Sequence, residues 1–242
     1  RNVSAQYRQT ILGYFWILLP PLVTTLVWVF LNKSKILSVG ETNVPYPVYV
    51  LTGNLMWQGF VRTLQMPIQT VQREKAALTK LNFPREALVA AGFGEAVLNT
   101  LVPLVLLIPV FIWYRIPLTF NQLLVPLGLF SVILSGYTLG LLLTPIGMLY
   151  QDVRRGIPIV TRFWFFLTPI VYPAPEEFPA SLVADINPVP PIVATARDWF
   201  TGQPPEMLGS FVVTTCASLV LFVVGLLLYR LAMPHIVERM SA

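Results

Sequence analysis

Charge is scarce in this sequence: Asp, Glu, Lys and Arg make up 11% of its 242 residues, against about 25% in a soluble domain. That is too little to coat a water-exposed surface, so a soluble domain is excluded. Cysteine and histidine are nearly absent. Cys216 is the only cysteine, so no disulfide forms within the chain, and its apolar setting makes it a small packing residue. His235 is the only histidine, which excludes a histidine-based metal site or triad within one chain. No Gly-rich loop runs into Lys-Ser/Thr, so ATP hydrolysis by the Walker route is excluded. There is no visible repeat, low-complexity segment or signal peptide. The start at Arg1 rather than Met leads us to expect that the natural chain begins earlier.

Apolar residues are what it has, at 55%. A membrane-crossing helix needs about 20 of them, so the length allows roughly five to seven crossings. Periodicity and hydropathy predict six spans, at about 15–37, 46–70, 87–113, 123–149, 157–172 and 208–231. The second is the most polar, interrupted by Gln58, Arg62, Gln65 and Gln69. Pro103, Pro109, Pro145 and Pro169 fall inside apolar runs. Intramembrane prolines free carbonyls that neighbouring helices must satisfy, which favours a packed bundle. The expected fold is therefore all-α and polytopic, one transmembrane domain over residues 1–242.

Charge then sorts the loops. With six spans both termini share a side. That side holds ten basic residues, among them Arg1, Arg8, Arg73, Lys75, Lys80, Arg85, Arg154 and Arg230, and the other holds four. The bias places both termini in the cytoplasm. The outer side also carries Glu41, Glu176, Glu177, Asp185, Asp198 and Glu206.

Three segments outside the spans carry pattern. Residues 1–14, with Tyr7, Ile11 and Tyr14 at helical spacing, read as an amphipathic interface helix or as a frayed tail. QREKAALTKLNFPREALV (72–89) reads as a short basic helix ended by Phe83-Pro84. It is either a docking knob or ordinary topogenic charge. Outside, 173–207 contains VPPIVATARDWF (189–200), apolar but too short to cross, which reads as a re-entrant or interfacial hairpin.

Three of these stretches resemble the polysaccharide-exporting ABC transporter permeases of the type-2 exporter class. YRQTILGYFWILLPPL (7–22) is similar to the family's N-terminal signature through Tyr7, Arg8, Thr10, Leu12, Gly13, Trp16 and Pro20. LTKLNFPREAL (78–88) is similar to its Lys-x-x-Phe-Pro-Arg-Glu stretch. YQDVRRGIPIVTRFWFFLTPIVYP (150–173) resembles its Arg-Asp-Val-Arg segment and the following Pro-(Ile/Val)-Val-Tyr-Pro helix. Two departures, one basic residue at Thr79-Lys80 and Gln151 in place of Arg, lie on the cytoplasmic face. The resemblance implies a second copy of the chain, two separate ATPase subunits that bind ATP and Mg, and no cofactor in this chain. It makes 72–86 the coupling helix, 1–14 the interface helix and 173–207 the outer gate. Tyr7, Arg8, Arg73, Lys75, Lys80, Phe83, Arg85, Asp152 and Arg154 are then the coupling residues. The implied cargo is a lipid-linked polysaccharide of O-antigen type, at the inner membrane. A teichoic acid or capsule glycan fits the same architecture, and no nucleic acid is implied by the +5 net charge.

Sugar rings slide over aromatic faces, so Trp16, Trp57, Phe60, Tyr137, Trp164, Phe165, Phe166 and Tyr172 are candidate pathway residues. The same residues also fit interfacial belts and cores. Arg62, Glu95 and Arg162 are ionisable within spans and are functional candidates by default. Equal distances from the 72–86 loop suggest an Arg62–Glu95 pair, with snorkelling to the interface as the alternative. A membrane-embedded glycan transferase would want a carboxylate or histidine constellation, and Glu95 stands alone.

Overall fold

The computed structural model describes residues 15–36, 39–74, 85–175, 177–178 and 180–241, without the side chains of residues 15–17, 85, 180 and 237–241. The expected interface helix 1–14, with Tyr7 and Arg8, lies outside the described residues, as do Lys75, Lys80 and Phe83 of the expected coupling helix. Among the described residues all regular structure is helical.

In chain order the helices are α1 (Phe15–Lys33), α2 (Tyr46–Arg73), α3 (Arg85–Leu101), α4 (Leu107–Trp113), α5 (Val125–Leu149), α6 (Gln151–Leu167), α7 (Ala180–Ile186), α8 (Val189–Thr201) and α9 (Leu208–Ser241). Short 3-10 turns at Val102–Leu106 and Phe120–Leu124 precede α4 and α5. Three stretches are long and apolar enough to cross a membrane: Glu86–Trp113, Phe120–Leu149 and Leu208–Ile236. Leu18–Lys33 is a shorter apolar helix.

The most polar expected span proves to be the centre of the molecule. α2 packs against α1, α3, α5 and α8, and residues from Val48 to Val71 are buried on most of its faces. At about 1.5 Å per residue, its 28 residues make a rod of about 42 Å. Apolarity was a poor guide here because helix neighbours, rather than lipid, surround α2.

Its closest neighbour is α5. A Cβ at Gly140 would collide with the Leu64 carbonyl, and one at Gly136 would lie 2.5 Å from the Phe60 carbonyl. This Gly-x-x-x-Gly spacing lets two backbones approach with only small residues between them. α9 then packs on α5, joined by Ser131–Thr215 at 2.7 Å and Ser135–Ser218 at 2.9 Å.

Two expected spans are reshaped. The third, read as one helix over 87–113, breaks into α3, a 3-10 turn and α4. Pro103 has no N–H to give the Asn99 carbonyl and its ring crowds the preceding turn. The fifth begins earlier and ends sooner than 157–172: α6 stops at Leu167, and Thr168–Pro173 is irregular. The outer helical piece read over 189–200 is α8, which is buried along most of its length.

Candidate functional site

Asn54, Gln58, Arg62, Gln65 and Gln69 recur every three or four residues along α2, so they form one stripe. They are chained together. Gln58 Nε2 donates to Asn54 Oδ1 (3.2 Å), Arg62 Nη2 to Gln58 Oε1 (3.3 Å) and Gln69 Nε2 to Gln65 Oε1 (3.2 Å). Asn54 Nδ2 also reaches the Pro21 carbonyl of α1 at 3.2 Å. The residues that interrupted the second span are therefore one continuous polar seam.

The seam opens into a groove of about 520 Å³ between α1, α2 and α6. Asn54, Gln58, Arg62 and Gln65 form its α2 wall, Arg162, Phe165 and Phe166 its α6 wall, and Thr24 contributes from α1. Trp57 borders it and stacks edge-on with Trp164 and Phe165, centroids 6.1 and 5.9 Å apart. The groove thus combines hydrogen-bonding groups on one side with aromatic faces on the other.

Several expected lining residues do not face it. Phe60 is 1% exposed and packs on Trp57 and Trp164. Tyr137 is fully buried, its hydroxyl donating to the Val89 carbonyl at 2.6 Å. Both are packing residues within this chain, because neighbouring helices cover them on all sides. Trp164 turns its Nε1 to Asn187 Oδ1 (3.1 Å), tying α6 to the α7–α8 turn. The Tyr172 hydroxyl donates to the Phe166 carbonyl at 2.7 Å. The side chain of Trp16 lies outside the described residues.

The expected Arg62–Glu95 pair is replaced by a different arrangement. Glu95 is gripped by Arg73, whose Nη1 and Nη2 donate to its two oxygens at 2.9 and 2.7 Å. Arg73 folds back along α2, reaching Met66 Sδ at 3.8 Å. Arg62 Nη1 donates instead to the Asn99 carbonyl at 3.2 Å, which is the carbonyl that Pro103 leaves without its helical partner. The two helices are offset by about one turn from the register that equal loop distances suggested: Gly59 faces Thr100 and Gly92 faces Thr70.

Charges gather at the two ends. At one end Arg73 lies beside Arg154, whose Nε donates to the Gln72 amide oxygen (3.1 Å) in the amide orientation that satisfies both groups. Arg230 of α9 pairs with Glu86 of α3 at 3.3 Å, both largely exposed. Asp152 sits in the first turn of α6, where the helix dipole favours an acid. The Arg85 side chain is outside the described residues. The opposite end collects Glu41, Asp185, Asp198 and Glu206 around Arg197. Burial pushes the Asp198 carboxyl up to about 6 despite the adjacent Arg197.

Sequence reasoning missed Asn54, the Gly136–Gly140 contact and the burial of Arg197 and Asp198. The first two had a signal, the three- to four-residue spacing of amides and the Gly-x-x-x-Gly pattern. The third had none.

Known proteins bear on this geometry. The chain is 26% identical over 193 residues to the O-antigen export system permease protein RfbA of Myxococcus xanthus, covering 78% of this chain and 73% of that one. It is 23% identical over 205 residues to the permease of the same name from Klebsiella pneumoniae, covering 83% and 77%. With residues 1–200 matching the family model described as ABC-2 type transporter, the chain belongs to the ABC-2 type transporter family and is a multi-pass membrane permease.

Proposed function

We propose that this chain is the membrane pathway of an ATP-driven exporter that carries a lipid-linked polysaccharide of O-antigen type out of the cytoplasm across the inner membrane. The observation that carries this is the polar seam of α2, open along an aromatic-walled groove in the middle of the bundle. Amides and a guanidinium exchange hydrogen bonds with hydroxyls, and ring faces accept sugars without fixed register. A seam of this kind facing lipid would be costly, so a second copy covering the groove accounts for it. The relatives named as O-antigen export permeases support the same cargo.

In this reading the chain crosses six times with both termini cytoplasmic, α1, α2 and α6 among the crossings, and α7 and α8 form a re-entrant outer gate within 173–207. The end bearing Arg73, Asp152, Arg154 and Arg230 faces the cytoplasm. There 72–86 and 1–14 meet two ATPase subunits, which bind ATP and Mg. Closure of the ATPase pair moves α2 and α6 from that end and widens the groove between them.

The test is co-purification with the candidate ATPase, followed by ATP hydrolysis with and without the triple change Arg73, Lys75 and Lys80→Glu. A complex of two permeases and two ATPases that the triple change dissociates or uncouples supports the reading. A chain that purifies alone, with no response to nucleotide, overturns it.

A further inference from the structure

The acidic end holds a second, separate pocket of about 340 Å³, enclosed by the 41–44 loop, the turn after α6, α7, α8 and the 203–207 loop. At its heart is Arg197, only 8% exposed. Its guanidinium carbon sits 3.7 Å above the Tyr49 ring, which fixes the plane and turns the nitrogen edges sideways. Nη1 is buried with no hydrogen-bond partner among the described residues. A buried donor left unmade costs about 1–3 kcal/mol and calls for an explanation.

The surroundings narrow what could satisfy it. Glu41, Asp185, Asp198 and Glu206 line the same pocket, so an anion would be repelled. A metal ion is disfavoured by the central guanidinium, and no group of three or more His, Cys, Asp or Glu among the described residues could hold one. What remains is a neutral group that both accepts and donates. A sugar hydroxyl accepts from Arg197 Nη1 and donates its own hydrogen to a carboxylate. Pro169, Pro173 and Pro190 supply flat apolar faces for the C–H side of the ring. The volume lies in the small-ligand range.

From this geometry we infer that the Arg197 pocket is a saccharide subsite at the outer mouth, holding one sugar unit of the emerging glycan. The inference rests on the export reading for its cargo.

The chain and its ATPase partner, in nanodiscs of phosphatidylethanolamine and phosphatidylglycerol, are titrated separately with D-mannose, D-galactose and D-glucose. Saturation transfer to the sugar ring protons reports binding. Inorganic phosphate and magnesium chloride serve as competitors. At least one hexose should bind in the millimolar range, and Arg197→Gln should weaken it by about tenfold, the value of one hydrogen bond of about 1.4 kcal/mol. If Arg197→Gln fails to fold, Gln203→Ala and Glu206→Gln, which alter the rim, are read on the same scale, and loss of transfer in either supports the site. Equal transfer in wild type and in every folded variant overturns the inference, as does displacement of the sugar by phosphate or magnesium. No hexose bound at all means that water alone fills the pocket, and also overturns it. Transport is not measured, so failure here leaves the export reading standing. Failure of ATPase coupling would likewise leave sugar binding to be judged on its own.

Discussion

An arginine inside a membrane helix invites a catalytic or transport role, but Arg62 has a structural task in plain view. Pro103 removes the N–H that would bond the Asn99 carbonyl, and Arg62 supplies a donor to that oxygen at 3.2 Å. The two residues should therefore be coupled. Arg62→Leu leaves the carbonyl short of a partner and should cost about 1–2 kcal/mol. In a Pro103→Ala background the backbone restores its own bond, and the same change should cost less than half as much. Thermal unfolding of the four proteins in one detergent measures this, and equal costs in both backgrounds would refute the coupling. At the outer end, Asp198 predicts a pH effect. Its carboxyl titrates near 3.8 when free and at about 6 when buried, so the native state holds the proton more tightly. Stability then falls as pH climbs from about 4, and the loss is complete above about 6. Asp198→Asn should gain on the order of 2 kcal/mol at pH 7 and nothing below about pH 4. Melting curves of both proteins across that range decide it.

Helix α5 shows how closely two elements must fit for the bundle to exist. Gly140 lies against the Leu64 carbonyl of α2, a backbone atom that cannot rotate away. Gly140→Leu should therefore destabilise by about 3 kcal/mol or prevent folding. A methyl group added at Gly94 of α3 would meet nothing within 4 Å, so Gly94→Ala should be neutral or gain up to about 1 kcal/mol. Membrane yield and melting temperature of the pair compare the two. Much of this level could be read from sequence. The 123–149 span, the 189–200 helix and the start of the last span at 208 coincide closely with α5, α8 and α9, because apolar runs and proline starts mark them. Helix α2 was visible as helical but looked like the weakest span, since hydropathy assumes lipid neighbours. The α2–α3 register was also illegible. Loop-centre arithmetic treats both helices as ending at one depth, and the one-turn offset arises from how Gly59 and Gly92 pack. The reach of Arg73 back to Glu95 was hidden for the same reason.

For the molecule as a whole, the two charged ends and the seam between them make separable demands. The basic end serves partner contact, the acidic end holds the Arg197 pocket, and the α2 seam joins them. Gln58 and Gln65 belong to the seam and line the groove, yet their side chains bond to other seam residues rather than to the backbone of another helix. Replacing both by leucine keeps helix propensity and keeps Arg62 on the Asn99 carbonyl. Folding and ATPase association should then be unchanged, because neither the basic end nor the α2–α5 contact is touched. The groove, however, would lose amides that exchange with hydroxyls, and export should fall by about tenfold or more, the worth of one or two lost hydrogen bonds during passage. Surface glycan in a strain lacking the native permease, measured beside co-purified ATPase, reads both quantities at once. Normal glycan with normal assembly would show that the seam is packing and that cargo passes elsewhere. Loss of assembly together with glycan would make these glutamines structural, and the seam would then no longer support the export reading.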